Sequence, residues 1–302
     1  MAVAEYAPIV LFTYNRLFHT QKTIASLRKN PEAQYSDLII FSDGPKEEGE
    51  NHAVNKVRAY LKTVSGFKSV CVYEQPRNLG LANSIIQGVN RILDSYEHVI
   101  VLEDDLETSP GFLSYMNSGL RCYEDHPQVA SIHGYVYPLK MPLPETFFIR
   151  GTSCWGWATW RSVWCKVNWS GAALLSDLHK TRLAKDFDYG GAYPYTKMLK
   201  DQISGKNNSW AIRWHAWAFL SGLFTLYPRQ SLVRNIGHDG SGVHCGISEA
   251  FEVSLAQVID VEPQKVLESE SARKAFSSFF KELKAPLWRR VFRTGKRMLC
   301  SH

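Results

Sequence analysis

The sequence predicts an α/β protein in which helices flank a mostly parallel sheet. Short apolar runs rich in β-branched residues alternate with segments of helical periodicity through the first 123 residues. This alternation occurs four times, and polar residues follow each apolar run. Because crossover helices are what join parallel strands, the alternation favours a parallel sheet whose ligands bind beyond the carboxyl ends of its strands.

The predicted elements follow one another through short connections. The first four strands are expected at 7–14, 37–43, 69–74 and 98–102, with helices at 20–29, 47–64, 79–93 and 111–123. Ser109 and Pro110 match the preferences for an N-cap and a first helical position, which places the start of the fourth helix at Gly111. Further strands are expected at 129–135, 146–150 and 223–227.

Polar side chains cluster where the four predicted strands end. They occupy Thr13 to Arg16 (with Tyr14), Ser42 to Gly44 (with Asp43), Gln75 to Asn78 and Glu103 to Asp105. Polar residues after a strand are also ordinary turn chemistry. Four such groups at one sheet edge instead favour a nucleotide-binding site there, since ligand sites of open α/β sheets lie at that edge.

The fourth strand ends in three consecutive acids, Glu103, Asp104 and Asp105. Adjacent carboxylates repel one another and lose hydration when they are partly buried, so a cation is needed to offset them. Mg²⁺ and Mn²⁺ bind one or two protein carboxylates and complete their shell with water and substrate phosphates. The triplet therefore predicts a divalent metal site for a nucleotide diphosphate, and the alternative is a solvated acidic loop that caps a helix.

The second half of the chain is rich in aromatic residues. Eight of the nine tryptophans lie between Trp155 and Trp217, where they are expected mostly in the core, with some available to stack on sugar rings. The polar stretch 177–206 predicts a mobile loop on the acceptor side. We accordingly expect a nucleotide-sugar-binding half at 1–135, an acceptor-side half at 136–265 and a basic C-terminal segment at 266–302.

A glycine-rich loop at 235–244 contains His238, Asp239 and His244. Such a loop could hold phosphate through its backbone amides, and His244 could give the metal a further ligand. The alternative for an isolated glycine-rich loop is plain turn chemistry.

The net charge of +6 is concentrated near the C-terminus. Residues 281–297 contain seven basic residues and one acidic residue, which leaves the rest of the chain near neutral and argues against a nucleic-acid partner. Apolar residues recur at helical spacing from Leu287 to Leu299 with arginines and lysines mostly on the other side, which predicts a basic amphipathic helix. This helix is expected to dock on an anionic membrane surface, and the alternative is packing on the protein's own core.

The location of the protein is predicted from its cysteines and its N-terminus. The six cysteines have no zinc-ligand spacing and indicate reduced thiols. Residues 1–14 lack the basic region of a signal peptide, and their apolar run ends at Asn15-Arg16, which is too short for a signal peptide or a membrane span. We therefore expect a cytoplasmic protein, peripheral on the inner face of the cell membrane.

The order of these motifs resembles the nucleotide-sugar-binding half of GT-A glycosyltransferases. The segments Phe12 to Arg16, Ser42 to Gly44, Gln75 to Ala82 and Val101 to Glu107 carry the resemblance. The pattern is similar to bacterial sugar transferases and to the N-acetylglucosaminyltransferase I family, which share a Glu-Asp-Asp motif. The resemblance is good from residue 7 to 123 and patchy through Gly156-Trp157 and 209–244.

The resemblance implies a role for each matching residue. Asp105 would bind the metal directly, Asp104 would face the ribose of the donor, and Glu103 would support the donor sugar or the hydrogen bonds of the site. Arg16 would meet the diphosphate or the ribose, Asp43 the imide of a uracil base, and Asn78 the base or ribose edge. Activity would then be metal-assisted transfer of a hexose or N-acetylhexosamine from a UDP-sugar to a glycan or lipid-linked saccharide, as in polysaccharide or lipopolysaccharide synthesis.

The catalytic base is not identified by the resemblance. In the eukaryotic family the helix near Trp210 carries an acidic pair that includes the base, whereas Ala211 and Ile212 stand there in this sequence. A carboxylate would deprotonate the acceptor if the enzyme inverts, and Asp239 is the first candidate and Asp201 the second. Arg213 is a candidate for stabilising the departing diphosphate.

Two other classes of protein remain open from the sequence. A sugar-1-phosphate nucleotidyltransferase also has an alternating sheet, but it is expected to carry a basic glycine-rich loop directly after the first strand, where this chain has Tyr14 to Phe18. A non-catalytic sugar-nucleotide-binding or lectin-like protein would keep the tryptophans without needing the acid triplet. Turnover of a donor distinguishes the enzyme from a binding protein.

Overall fold

A mixed eight-stranded sheet forms the centre of the molecule. The computed structural model describes residues 6–239 and 249–284. The strands follow the order β3-β2-β1-β4-β8-β6-β9-β7. Their bounds are β1 Ile9–Thr13, β2 Asp37–Ser42, β3 Ser69–Glu74, β4 His98–Glu103, β6 Val129–His133, β7 Thr146–Arg150, β8 Trp157–Trp160 and β9 Phe224–Pro228. A separate two-stranded sheet pairs β5 (Leu106–Thr108) with β10 (Val233–Asn235).

Helices cover both faces of the large sheet. Their bounds are α1 Leu17–Leu27, α2 Asn51–Leu61, α3 Leu81–Leu93, α4 Phe112–Cys122, α5 Arg161–Trp164, α6 Gly171–Lys180, α7 Ala184–Phe187, α8 Tyr195–Ile203, α9 Trp210–Leu220 and α10 Glu270–Lys284. This large sheet flanked by helices confirms the predicted α/β class and is consistent with a GT-A fold.

The first four strands of the large sheet are parallel, as their continuous apolar runs predict. Alternate residues of β1 face opposite sides, because successive side chains of a strand point in opposite directions. Ile9 and Leu11 pack in the core that contains α1, α2 and α4, whereas Val10 and Phe12 pack in the core that contains α3. Burial on both faces fixes the register, and the register brings the four strand ends to one edge.

The second half of the sheet is mixed. β8 lies between β4 and β6 and is antiparallel to both, and β7 is antiparallel to β9. β8 was not among the predicted strands, because Trp157-Ala-Thr-Trp160 has only four residues and, with both of its faces buried, shows no alternation of apolar and polar residues. Trp157, Trp160, Trp164, Trp210 and Trp214 are buried, which confirms the core prediction for these tryptophans.

Two local predictions are wrong. The first concerns the start of α4, whose N-cap is Gly111 and not Ser109. The reason is that the Ser109 N–H donates to the Leu232 carbonyl and so extends the β5–β10 ladder by one residue.

The second wrong prediction is the mobile loop at 177–206. This stretch contains the end of α6 and all of α7 and α8. Leu178, Phe187 and Leu199 pack there with the apolar face of α9. A loop was predicted because polar residues dominate this stretch. The apolar residues that recur between them form its helices' buried faces.

The part of the chain that the structure describes has no helix with the length and hydropathy of a membrane span. The predicted amphipathic helix at 287–299 lies outside the described residues. Four cysteines in the described ranges are not part of a disulfide: Cys71, Cys122, Cys154 and Cys165.

Buried His215 predicts a loss of stability in acid. Its Nδ1 accepts a hydrogen bond from the Thr152 N–H at 3.0 Å, its ring stacks on Phe187, and burial lowers its pKa from 6.5 to about 4. Between these two pH values the unfolded chain binds a proton that the folded protein does not, so stability falls as pH decreases. This one group should lower the free energy of unfolding by about 2 kcal/mol between pH 7.5 and pH 5.

Urea unfolding of the wild type and of His215→Asn at those two pH values measures this contribution. Asparagine keeps an acceptor for Thr152 but does not titrate, so the variant should lose less stability than the wild type over the same interval. Equal losses in the two proteins would show that His215 does not contribute to acid sensitivity.

Candidate functional site

The carboxyl ends of β1, β2, β3 and β4 meet at one edge of the large sheet. Thr13 pairs with Ser42 across β1 and β2, Ser42 pairs with Glu74 across β2 and β3, and Phe12 pairs with Glu103 across β1 and β4. The four polar groups predicted from the sequence therefore lie side by side. The three acids occupy the last residue of β4 and the turn that follows it.

Arg16 joins the loop after β1 to the acid triplet. One of its guanidinium nitrogens, Nη2, donates to Asp104 and, at 2.9 Å, to Oδ2 of Asp105. Thr23, on the buried side of α1, donates to the Asp104 carbonyl at 2.8 Å and fixes the turn. The sequence places Arg16 and the triplet at the ends of two different strands. The structure brings them into contact, as predicted.

Negative charge exceeds positive charge at this turn. Desolvation, followed by the charges of Asp105 and Asp104, raises the pKa of Glu103 to about 8. Desolvation also raises the pKa of Asp104 to about 6, although Arg16 opposes the rise. Oδ2 of Asp104 is buried and has no hydrogen-bond partner among the described residues.

These residues fit a divalent cation. The donors are carboxylate oxygens, one buried oxygen is unpartnered, and one guanidinium faces three acids, so a hard cation would satisfy both the oxygen and the excess charge. Within the ranges 6–239 and 249–284 no three side chains of His, Cys, Asp or Glu are grouped as a metal site. Water and substrate phosphates would therefore complete the shell, as they commonly do for Mg²⁺. His244, the other predicted ligand, lies outside the described residues.

The segment after β10 packs directly on Asp105. The Ile236 N–H donates to the Asp105 carbonyl at 2.8 Å. A Cβ atom on Gly237 would lie 2.2 Å from Oδ2 of Asp105 and 3.1 Å from Nη1 of Arg16, so only glycine fits there without displacement of the carboxylate. His238 follows and stacks on Phe251, with Trp155 at the edge of its ring.

Asp43 organises the loops after β2 and β3. Its Oδ1 accepts from the N–H groups of Gly44 and Leu79, and its Oδ2 accepts from the Gly80 N–H at 3.0 Å. The carboxylate is thus held by three backbone donors, two of them at the start of α3. Asn78 joins the same loops, since its Nδ2 donates to the Gly44 carbonyl at 2.7 Å.

Glu50 is a residue of this edge that the sequence analysis missed. Its carboxylate accepts from the Tyr14 hydroxyl, from Nδ2 of Asn15 and from the Lys46 N–H. Burial and the bond to Glu50 raise the pKa of Tyr14 well above its usual value. Glu50 thereby joins the loop that contains Arg16 to the loop after β2.

Arg58 holds the same loops from the side of α2. Its Nη2 donates to the carbonyls of Gln75, at 2.6 Å, and Asp43. Arg58 was not predicted either, because the carbonyls that it binds carry no signal in the sequence and its side-chain partners, Ser42 and Glu74, lie on two different strands.

The remaining predicted residues have other neighbours. Thr13 is buried at the end of β1, and its hydroxyl has no partner among the described residues. Asp201 forms an ion pair with Lys197 one turn earlier in α8. Arg213 donates to the Trp169 carbonyl at 3.4 Å and lies over the Trp169 ring. These contacts do not bring Asp201 or Arg213 to the acid triplet, and their predicted roles stay predictions.

Three solved structures resemble the chain at low identity. The mannosyltransferase PcManGT from Pyrobaculum calidifontis, in complex with GDP-Man and Mn²⁺, is 15% identical over 45% of this chain and 36% of its own, with a TM-score of 0.33. S. aureus TarS is 14% identical over 46% of this chain and 23% of its own, with a TM-score of 0.30. A UDP-glucose pyrophosphorylase complexed with UDP-glucose is 12% identical over 76% of this chain and 92% of its own, with a TM-score of 0.36.

The chain spans little more than a third of the length of the first of these structures and less than a quarter of the second. Likenesses this distant do not separate one function from another. Among curated proteins, no sequence matches the chain.

A family model matches the first part of the chain. The model describes glycosyl transferase family 2 and matches residues 9–122, which is less than half of the 302 residues. The matched segment runs from β1 to the end of α4 and contains Arg16, Asp43, Asn78 and the acid triplet. The segment that forms the four parallel strands and their polar edge is thus similar in sequence to family 2 glycosyl transferases.

Proposed function

We propose that the protein is a glycosyltransferase that moves a sugar from a nucleotide diphosphate sugar to a hydroxyl group of an acceptor glycan or lipid-linked saccharide. The observation that carries the proposal is the convergence of Arg16 with Asp104 and Asp105 at the edge formed by parallel strand ends, inside the segment that matches family 2. Ligands of open α/β sheets bind at this edge.

The donor would lie across the ends of the four parallel strands. Its base would bind near Asp43 and Asn78, where the loops after β2 and β3 are joined. Uracil is the base we propose. Both oxygens of Asp43 already accept hydrogen bonds from backbone N–H groups. The imide N–H of uracil would therefore bind to one of their remaining lone pairs. The diphosphate would lie at the acid triplet, beside Arg16.

The reaction is a displacement at the anomeric carbon of the donor. The acceptor oxygen forms the new bond to that carbon, the bond from the carbon to the phosphate oxygen breaks, and the nucleoside diphosphate leaves with the electron pair. Asp239 would take the proton of the acceptor hydroxyl, which corresponds to inversion, and Arg16 would stabilise charge on the leaving diphosphate. Asp105, with Asp104 beside it, would hold Mn²⁺ or Mg²⁺, and the bound metal would offset the charge of the departing diphosphate.

Two assays test the proposed function. In the first, thermal melting with uridine, guanosine and cytidine diphosphates identifies the base, because a ligand at a hundredfold excess over its Kd stabilises the folded state by about 2.7 kcal/mol. In the second, nucleotide sugars are screened for release of nucleoside diphosphate with and without Mn²⁺. We expect the uridine nucleotide to raise the melting temperature and one UDP-sugar to turn over. Binding without turnover of any donor would contradict the enzyme proposal.

Gly44→Ala is expected to weaken nucleotide binding by about tenfold or more, which corresponds to at least about 1.4 kcal/mol. An added Cβ at position 44 would lie 2.5 Å from the backbone of Arg77, so the loops after β2 and β3 would have to separate and the Asn78 bond to Gly44 would break. Calorimetric titration with the nucleotide measures the change.

Gly49→Ala is the matched control for this variant. Gly49 lies in the same connection between β2 and α2, and an added Cβ there meets no atom within 4 Å. The Gly49→Ala variant should bind the nucleotide as the wild type does. Unchanged affinity in Gly44→Ala would show that the joined loops do not form the base site.

The basic C-terminal segment would place the enzyme on an anionic membrane surface, on the cytoplasmic side, where a lipid-linked acceptor is available. The basis is the sequence of 287–299, since each basic residue near such a surface contributes about 1 kcal/mol. Full-length protein is expected to float with anionic vesicles in a salt-sensitive way, and a chain ending at Lys284 is expected not to. Equal flotation of the two proteins would contradict membrane docking by this segment.

A further inference from the structure

His19 lies near the acid triplet, although no sequence motif singles it out. It occupies the first turn of α1, three residues after Arg16, and its side chain is 7% exposed. A protonated His19 ring is the last of the influences that oppose the raised pKa of Asp104. The imidazole therefore lies near the side chains that the proposed function assigns to the donor.

The imidazole contacts Asp239. Nε2 of His19 lies 3.1 Å from Oδ2 of Asp239, within hydrogen-bond distance. Since an ionised carboxylate only accepts, Nε2–H is the donor. The Asp239 side chain is 48% exposed, so its carboxylate faces solvent on one side and His19 on the other.

The segment from Ile236 to Asp239 is held at its N-terminal end by Asp105. The Ile236 N–H donates to the Asp105 carbonyl, and Gly237 lies against the Asp105 carboxylate. The segment from Ile236 to Asp239 is thus attached at two points, by its backbone to the triplet and by its last side chain to α1. This arrangement places a half-exposed carboxylate next to the proposed diphosphate site.

We propose that His19 is a positioning residue that holds Asp239 as the base for the acceptor hydroxyl. This inference rests on the proposed function. His19 holds the carboxylate through Oδ2. The carboxylate accepts the acceptor proton as the acceptor oxygen bonds to the anomeric carbon and the nucleoside diphosphate departs. The protonated carboxyl then releases that proton to water after the product leaves.

Steady-state kinetics of two His19 variants test this role. His19→Leu should lower kcat about a hundredfold, because a misplaced catalytic group loses about that much, while the KM for the donor stays near the wild-type value. His19→Gln should recover most of kcat, since its Nε2 can donate from a similar position. His52→Leu is the matched control, because His52 lies exposed in the first turn of α2, and it should leave kcat unchanged.

A double-variant cycle separates positioning from a general structural effect. If His19 acts through Asp239, then Asp239→Asn should lower kcat as much alone as in combination with His19→Leu. Additive losses, or wild-type kcat in His19→Leu, would overturn the proposal.

Thermal melting of the wild type, His19→Leu, Asp239→Asn and the double variant tests the contact without a measurement of turnover. A direct contact predicts that the melting shifts of the two single variants do not add in the double variant. Additive shifts would overturn the positioning role even if no donor turns over. A wild type without turnover but with non-additive shifts would instead contradict only the proposed function.

Discussion

Asp105→Asn is expected to lower sugar transfer by at least about a thousandfold, because the variant loses the charge that would hold the metal at the departing diphosphate. Asparagine has nearly the same shape, and the Asp105 carbonyl keeps its bond from the Ile236 N–H. Removing the charge of Asp105 also relieves its repulsion of the neighbouring carboxyl groups. The melting temperature should therefore stay near the wild-type value or rise.

Donor turnover in Mn²⁺ and calorimetric titration with Mn²⁺ in the presence of nucleotide measure this effect. Asp125→Asn is the matched control, because Asp125 is an exposed carboxylate just beyond α4. It should turn over the donor and bind Mn²⁺ as the wild type does. Full turnover by Asp105→Asn, or by the wild type in chelator, would exclude metal-assisted departure of the diphosphate.

Trp214→Ala is expected to cost about 3 to 5 kcal/mol of stability, the usual range for removing a buried large aromatic side chain. Trp214 is fully buried, and its ring centroid lies 4.3 Å from that of Trp157 and 5.4 Å from that of Trp164. These three rings fill the space between β8, α5 and α9. The truncation would leave a cavity that rigid neighbouring rings cannot fill.

Urea denaturation with an unchanged m-value measures the loss. Trp214→Phe should cost much less, since the indole nitrogen of Trp214 has no hydrogen-bond partner among the described residues and its removal costs no bond. Trp217→Ala, in the same helix but only half-buried, should also cost less. A loss in Trp214→Ala no larger than in Trp217→Ala would contradict the role of the tryptophan cluster as core.

The parallel half of the fold was predictable because three of its four strands are buried on both faces, whereas β3 is a more exposed edge strand. Ile9 to Thr13 is entirely buried, so its sequence is a continuous apolar run that differs clearly from a helix. Helix ends were less predictable. α2 begins at Asn51 and not at Glu47, because Glu48–Glu50 forms a 3₁₀ turn first. The mixed half was harder, because the apolar residues of β8 are tryptophans, which occur in helices and strands alike.

In the candidate site, the convergence of Arg16 with Asp104 and Asp105 was predictable because parallel strands align their ends. Contacts from helices to these ends were not predictable, since nothing in the sequence links His19 to Asp239 or Glu50 to Tyr14. Such pairs depend on how each helix returns to the sheet. The roles of Asp43, Asn78, Arg213 and Asp201 stay predictions until the variants are measured.

The packing of α10 on β7 and β9 has a consequence for synthesis on the ribosome. Phe276 and Phe280 of α10 cover Phe147 of β7 and Tyr227 of β9, while Ser269 donates to the Phe148 carbonyl. These aromatic faces are translated long before the helix that shields them. The nascent chain therefore carries them exposed until α10 leaves the exit tunnel, and exposed apolar surface of this kind promotes aggregation. An early stop codon before α10 would leave the edge formed by the ends of β1 to β4 complete but produce a chain prone to chaperone capture and degradation.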